Sequence, residues 1–268
     1  MQSHFSKPQS LLVKDTVCAF WQMHRLNDPP VNETIIPKGV IQIIFSFETA
    51  PIVGTINNQT LNLPKCFISG IHTIPIHVHL SGWQTYFGVV LYAAAARHIL
   101  KFQPVEFSNC CIDMTLVDAS FHSLWNCLGE QKSFDDRVMV FTNWLSDRQP
   151  CLTDREQALN SFLHGHTNNL LSVSHLAKQF CYSSKQLSRK LHELAGMNAE
   201  QMLLYKKYLQ AVHLIHTSQL SLTEIAYSCH FSDQSHFIKT FKALTWLTPH
   251  EYRQWKSNQP GHIFQNVP

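Results

Sequence analysis

The sequence has little glycine, with only 9 in 268 residues. It holds no glycine-rich phosphate-binding loop, no dinucleotide-binding fingerprint and no nucleophile elbow. These absences argue against nucleotide-dependent enzymes and α/β-hydrolases. We therefore expect that the protein is not an enzyme.

Paired cysteines and long apolar runs are missing as well. None of the eight cysteines forms a CxxC pair, and residues 1–15 lack the apolar segment of a signal peptide. The most apolar early stretch, "VIQIIFSF", is far too short to span a bilayer. We expect free thiols, a cytoplasmic location and no membrane partner.

The net charge of +3 is unevenly distributed along the chain. Residues 1–164 carry a net charge of −2, whereas residues 165–268 carry +5. A basic C-terminal part is typical of a domain that contacts a polyanion such as DNA.

Short β-branched segments dominate roughly the first 110 residues. The stretches "KGVIQIIFSFE", "IHTIPIHVHL" and "WQTYFGVVLY" predict strands, with turn-forming residues between them in segments such as "APIVGTINNQT". Such a series indicates a small antiparallel barrel or sandwich. From about Asp118 the apolar spacing becomes helical, and after a short connection we expect a helix over Asp154–His164.

The last part of the chain contains one helical pattern twice. "HLAKQFCYSSKQLSRKLHEL" aligns with "EIAYSCHFSDQSHFIKTFKAL", so that Ala177 matches Ala226 and Ser183 matches Ser232. Each copy reads as a short helix, a turn and a longer helix that a serine can cap, and one long helix joins the copies. This is the anatomy of two helix-turn-helix units, at about 172–195 and 221–245.

The second copy carries a more specific resemblance. Ile225-Ala226 is followed by "FSDQSHF" at 231–237, by Phe241-Lys242, by Thr248-Pro249 and by Tyr252-Arg253. In these residues the segment 165–256 resembles the DNA-binding domain of the AraC/XylS family of bacterial transcription regulators. The sequence departs from the family pattern at His230 and Trp246, where glycine is usual, and at Lys207, where arginine is usual.

The resemblance implies an α+β chain with two parts. Residues 1–152 would form an N-terminal regulatory domain, a small antiparallel, cupin-like β-barrel with helices, for effector sensing, dimerisation or both. Residues 153–268 would form an all-α DNA-binding domain in which a long helix joins two helix-turn-helix units. The implied partners are double-stranded DNA at an operator or promoter, a small-molecule effector, a second copy in a homodimer, and RNA polymerase.

Polar side chains at the start of the second helix of each unit are the candidate DNA contacts. They are Ser184, Lys185, Gln186, Ser188, Arg189 and Lys190 in the first copy, and Asp233, Gln234, Ser235, His236, Lys239 and Lys242 in the second. Glutamine can bind adenine and arginine can bind guanine in the major groove. The predicted base contacts are Gln186, Arg189, Gln234, Ser235 and His236, and the predicted phosphate contacts are Lys185, Lys190, Lys239 and Lys242.

Two alternatives follow from other features. His77 and His79 alternate on one face of a predicted strand, with His72 nearby, which suggests a metal-dependent cupin-like enzyme or sensor fused to a DNA-binding tail. The following "LSGWQTY" supplies no carboxylate ligand, so we expect no metal site and no cofactor. The other alternative is a scaffold whose helical repeat binds a protein instead of DNA.

Overall fold

A computed structural model of the chain describes residues 2–10, 13–48, 52–165 and 172–266. The strands in these ranges are β1 (Gln2–Ser6), β2 (Val17–Ile35), β3 (Ile41–Ser46), β4 (Ile52–Ile56), β5 (Gln59–Leu63), β6 (Cys66–Ser69), β7 (Ile76–Leu91), β8 (Cys111–Asp113) and β9 (His262–Asn266). The helices are α1 (Ala93–Leu100), α2 (Met114–Val117), α3 (Ser120–Glu130), α4 (Phe134–Ser146), α5 (Asp154–His164), α6 (Val173–Gln179), α7 (Ser184–Ala195), α8 (Ala199–Thr217), α9 (Leu222–Ser228), α10 (Gln234–Thr245) and α11 (Pro249–Trp255). The predicted α+β class is confirmed. None of the helices in the described ranges has the length and apolar content needed to span a membrane.

The strands form one antiparallel sheet whose spine is the long ladder between β2 and β7. This ladder runs from the pair Val17↔Leu91 to the pair Ile35↔Ile76. Strands β1 and β3 flank its first half, and β4 and β9 flank its second half. The register shifts twice along β2, and because such irregularities bend and twist a strand, the sheet curls around a cavity.

Several elements lie where the sequence pattern indicated something else. The segment interpreted as turn punctuation, "APIVGTINNQT", contains β4 and the start of β5, joined at Asn57 and Asn58. Both asparagines have positive φ, 52° and 60°, which suits a two-residue hairpin turn. Helix α1 forms from the alanine run in a region expected to hold strands, and β9 follows α11 where no strand was expected.

The helices after residue 118 agree with the prediction. Helices α3 and α4 lie in the region after Asp118 where the apolar spacing becomes helical, and α5 spans the expected range Asp154–His164. Phe141 of α4 packs edge-on against Phe20 and Phe45 of the sheet, with ring centroids 6.0 and 6.2 Å apart. Helix α4 therefore covers the face of the sheet opposite the cavity.

The helical C-terminal part packs directly on the sheet. In α8, the Tyr205 hydroxyl donates to the carbonyl of His72 at 2.8 Å, and the Tyr208 hydroxyl donates to the carbonyl of Pro37 at 2.9 Å. One continuous apolar core includes residues of the sheet, of α3 to α5 and of the helical repeat. The orientation of the repeat relative to the sheet is thus fixed by buried contacts.

Candidate functional site

Each copy of the repeat folds as a short helix, a turn and a longer helix. Ser172 caps α6, and Ser221 caps α9 in a capping box with Glu224. Ala177 and Ala226 are 3% and 1% exposed, as expected for small residues where two helices cross. Helix α8, with 19 residues and a length of about 28 Å, connects the two units.

The two turns close in the same way. Tyr182 N–H donates to the carbonyl of Ala177 at 2.8 Å, and Phe231 N–H donates to the carbonyl of Ala226 at 3.0 Å. The residue before each aromatic is left-handed, with φ of 53° at Cys181 and 58° at His230. This is a Schellman termination, which usually places glycine at that position. The second turn therefore accommodates the His230 side chain while keeping the backbone angle typical of glycine.

Cys181→Gly is expected to stabilise the protein by about 0.5–1 kcal/mol. A non-glycine residue in the left-handed region destabilises the folded state by about 1–2 kcal/mol, and glycine removes this strain. Glycine also raises the entropy of the unfolded chain, which offsets about half of that stabilisation. Chemical denaturation measures the change. Cys127→Gly is the matched control, since this exposed cysteine lies within α3 and its replacement should cost a few tenths to about 1 kcal/mol. Equal effects at both positions would contradict this account of the turn.

The second turn is one residue longer than the first. Four residues, 180–183, separate α6 from α7, whereas five, 229–233, separate α9 from α10. The cap of α10 is consequently Asp233, whose carboxylate accepts from the His236 N–H at 2.8 Å. The prediction that Ser232 caps this helix is wrong, because the extra residue moves Ser232 outside it, where its hydroxyl contacts His236 Nδ1 at 3.0 Å.

The longer turn also changes which residues correspond between the two second helices. The repeat interval is 49 residues up to the aromatics Tyr182 and Phe231, and it becomes 50 from the caps Ser183 and Asp233 onward. Arg189 therefore corresponds to Lys239, and both side chains are exposed. A basic residue at the same turn of both helices was hidden by the ungapped alignment.

Most predicted DNA contacts of α7 point to solvent. Ser184, Lys185, Gln186 and Arg189 are exposed. Gln186 also has a structural role, because its side-chain oxygen accepts from the Ser183 N–H at 2.9 Å and completes the capping box of α7. Any base contact by Gln186 would compete with this bond.

Ser188 and Lys190 lie in a different environment from the other four. Ser188 is half-buried, and its hydroxyl accepts from the Ala199 N–H at 3.3 Å, which joins α7 to the start of α8. Lys190 pairs with Glu193 at 2.8 Å and borders a cleft between α7 and α5 that Arg155 also lines. These two side chains therefore stabilise contacts within the protein.

The predicted contacts of α10 form a compact exposed surface. Asp233, Gln234, Ser235, Lys239 and Lys242 are exposed, and His236 is half-buried. The His236 N–H bond lowers the pKa of the Asp233 carboxyl, so this helix start carries a negative charge at neutral pH. Beneath this surface, Phe237 and Phe241 are fully buried and fix the helix against α8.

Two residues that depart from the family pattern have structural roles that the sequence analysis missed. Lys207 of α8 donates to the carbonyl of His230 at 2.5 Å and thereby holds the second turn. Trp246 ends α10 with a left-handed φ of 62°, as Gly196 ends α7 with a φ of 71°. The Trp246 ring lies 5.6 Å from the ring of His77 in β7, so this departure places an aromatic contact between the helical repeat and the sheet.

A second candidate site is the half-open cavity lined by the curled sheet, with a volume of about 620 Å³. Its walls are mostly apolar and include Trp21, Met23, Ile44 and Val78, with contributions from most strands. Its polar end contains Glu33, Lys38 and His262. A cavity of this size and lining is typical of small-molecule sites.

The histidines considered as metal ligands each have one ring nitrogen within hydrogen-bond distance of a side chain of β2 or β6. His77 Nδ1 lies 3.0 Å from Thr34 Oγ1, and His79 Nδ1 lies 3.0 Å from Asn32 Oδ1. His72 Nε2 contacts Ser69 Oγ at 2.8 Å. In the part of the chain that the structure describes, no three His, Cys, Asp or Glu side chains are grouped closely enough to hold a metal ion.

Comparison with known proteins finds a different matching family model for each part of the chain. A family model described as "Helix-turn-helix domain" matches residues 176–254, and one described as "Domain of unknown function (DUF6597)" matches residues 6–113. The HTH-type transcriptional activator RhaS of Escherichia coli (strain SE11) is 32% identical over 100 residues, covering 37% of this chain and 36% of RhaS. RhaS of Salmonella arizonae is 32% identical over 111 residues, covering 40% of each. The match thus spans little more than a third of these relatives.

Two solved structures are also similar. ToxT from Vibrio cholerae aligns with 87% of this chain and 98% of its own, at a TM-score of 0.48 and 11% identity. The DNA-binding domain of AdpA, in complex with a target DNA, aligns with 36% of this chain and 86% of its own, at a TM-score of 0.32 and 27% identity.

Proposed function

Because its helix-turn-helix domain makes this chain a member of the AraC/XylS family, we propose that it is a sequence-specific, DNA-binding transcription regulator. The observation that carries the proposal is the pair of matching helix-turn-helix units, each of which exposes a polar face at the start of its second helix. In this motif the second helix lies in the major groove. The family context favours a regulator over an enzyme.

The proposed mechanism assigns α7 and α10 to neighbouring segments of the major groove. Arg189 and Gln234 would read bases, with Ser235 and His236 beside them, since their side chains offer the donors and acceptors that base edges require. Lys185, Lys239 and Lys242 would contact phosphates. Gln186 would contact a base only after its hydrogen bond with the Ser183 N–H breaks, so we propose that it contributes less to base recognition than the other residues do.

Arg189→Ala and Gln234→Ala are each expected to weaken binding to a selected DNA site by about 1–3 kcal/mol and to relax the preference at one base position. Lys185→Ala and Lys242→Ala should instead weaken binding to all DNA sequences equally. Each should also reduce the slope of the logarithm of the binding constant against the logarithm of the salt concentration by about 1. A titration of labelled DNA at several salt concentrations measures both effects.

Lys190→Ala is the matched control for these lysine variants. Its amine pairs with Glu193 and borders the cleft between α7 and α5, so its loss should change DNA affinity little although it removes the same charge. Unchanged affinity in both the Arg189 and the Gln234 variants would refute the assignment of the recognition residues. A weak salt dependence would instead favour a scaffold that binds a protein.

We further propose that residues 1–152 regulate the DNA-binding part 153–268 by binding a small-molecule effector in the cavity. The cavity's size, apolar walls and polar end support this role. Self-association, contact with RNA polymerase and action in the cytoplasm belong to the same proposal through the family resemblance. The relatives named as activators favour activation of transcription.

A metal-dependent enzyme or sensor with a DNA-binding tail is the weaker alternative. His77 and His79 each use one ring nitrogen in a bond to β2, and the strand offers them no neighbouring carboxylate. Stoichiometric metal in the purified protein that is lost in His77→Ala would favour this alternative.

A further inference from the structure

We propose that the cavity binds an uncharged, largely apolar molecule with a hydroxyl or amide head group. Strand β9 forms part of this site, so that binding of the ligand stabilises the position of β9 on the sheet. The inference rests on the proposed regulatory role of the cavity. It adds the chemical class of the ligand and the element that transmits its binding to the helical repeat.

The polar end of the cavity is built from both halves of the chain. Lys38 Nζ lies 2.8 Å from His262 Nε2, and His262 Nδ1 is bonded to the Glu33 carboxylate. Glu33 and His262 are 5% and 8% exposed, and all three residues line the cavity. Because His262 belongs to β9 and Glu33 to β2, a ligand bound at the polar end of the cavity contacts both strands.

The charges at this end are already balanced. Burial, with a further contribution from Lys38, lowers the pKa of His262, so its ring is neutral at pH 7. Burial lowers the pKa of Lys38 to about 8, which leaves its amine mostly protonated, on the other side of the His262 ring from Glu33. A charged ligand would therefore bring an uncompensated charge into a largely apolar cavity, which is costly. A neutral head group avoids this cost.

Lys38 and Gln259 have unused hydrogen-bonding capacity, which narrows the choice of the ligand's head group. The Lys38 ammonium can donate three hydrogen bonds, and among the described residues only His262 accepts one. Gln259, which also lines the cavity, has a buried side-chain oxygen without a partner in the same part of the chain. A hydroxyl or an amide supplies both the acceptor that Lys38 lacks and the donor that Gln259 lacks. Neither bond displaces His262, so the ligand adds to the contacts that hold β9.

Contacts at the start of β9 lead to the second helix-turn-helix unit. Gly261 accepts from the Ile36 N–H at 2.9 Å, and its own N–H donates to the Tyr252 hydroxyl at 3.1 Å. The fully buried Tyr252 ring packs 5.5 Å from that of Phe241 in α10. A ligand that fixes His262 therefore restricts movement of α11 and α10 relative to the sheet.

Three probes with one skeleton test the ligand class. Calorimetric titration of the full chain with 4-butylbenzamide, 4-butylbenzoate and butylbenzene should show at least tenfold tighter binding of the amide. Val78→Phe, which places a ring in the apolar half of the cavity, should abolish that binding while circular dichroism shows an unchanged fold. The proposal is overturned if the benzoate or the hydrocarbon binds as tightly as the amide, if the amide does not bind, or if binding survives in Val78→Phe.

Hydrogen exchange tests the coupling to β9. The amide probe should slow exchange in peptides covering 31–35 and 257–266 at least threefold in the unaltered chain. His262→Phe and Lys38→Met should remove this effect, whereas Gln265→Ala, an exposed position of the same strand, should retain it. Exchange in β9 that does not respond to the probe overturns the coupling. Neither experiment uses DNA, so a failure to bind DNA refutes the proposed function without affecting either readout.

Discussion

Replacing Gly70 with alanine is expected to destabilise the protein by about 3 kcal/mol, the upper part of the range for overpacked interiors. A Cβ at this position would lie 2.2 Å from the carbonyl oxygen of Phe107 and 2.7 Å from its carbonyl carbon. These are backbone atoms of the short 3₁₀ helix Pro104–Phe107, so no side-chain rotation can relieve the clash. The helix would have to separate from the end of β6. Urea denaturation of the full chain measures the lost stability.

Gly129→Ala is the control for this substitution. Gly129 lies in α3, and its added Cβ would meet only the Phe47 ring, at an ordinary distance of 3.5 Å. Alanine favours helix more than glycine does, so the change should be neutral or stabilising by up to about 1 kcal/mol. An unchanged denaturation midpoint for Gly70→Ala would show that the close approach to Phe107 is not maintained in solution.

Acidification is expected to destabilise the protein before its carboxylates titrate. Burial, with Lys38 nearby, lowers the pKa of His72 to about 4, and burial, with Lys206 nearby, does the same for His164. The unfolded chain binds these protons near pH 6.5, so the stability from each neutral ring is full above pH 6.5 and falls towards pH 4. Each histidine therefore lowers the free energy of unfolding by up to about 1.4 kcal/mol for each unit of pH decrease, and by about 3 kcal/mol between pH 6.5 and pH 4.

Unfolding free energies at pH 7, 6 and 5 measure this acid dependence. His72→Gln and His164→Gln should each flatten the decline between pH 6.5 and 5, because glutamine does not titrate. The decline should not vanish, since burial also lowers the pKa values of His77, His216 and His262. His79→Gln, at an exposed position of β7, should leave the slope unchanged. An equal slope of unfolding free energy against pH in all three variants would refute the assignment of this acid dependence to His72 and His164.

The helical half of the fold was predictable because its signals are local. Apolar spacing, capping serines and Gly196 lie within a few residues of the structures they specify, and α6 to α8 follow them. The sheet was harder to predict, because β2 continues through Pro29 and Pro30, which normally interrupt strands. Its register shift lies at that point and accommodates the interruption.

The candidate DNA-binding surface could be located from the sequence, but the roles within it could not. Whether Asp233 or Ser232 caps α10 depends on one extra residue in a turn, which an ungapped alignment cannot register. That Lys190 faces α5 depends on how the repeat docks, a long-range contact without a sequence signal. The asparagine pair at 57–58 is a missed signal of another kind, since such residues favour the two-residue hairpin that forms there.

The position of β9 has a consequence for how the chain folds. His262 and Glu33 are 229 residues apart in sequence, so closing this part of the sheet is among the most non-local steps available to the chain. During synthesis the first half emerges long before its partner strand, and the 31–35 segment of β2 meanwhile presents an unpaired edge on one side. The sheet therefore reaches its final form only after the helical repeat has been made. Formation of the cavity thus ends in a late step that follows synthesis of the repeat.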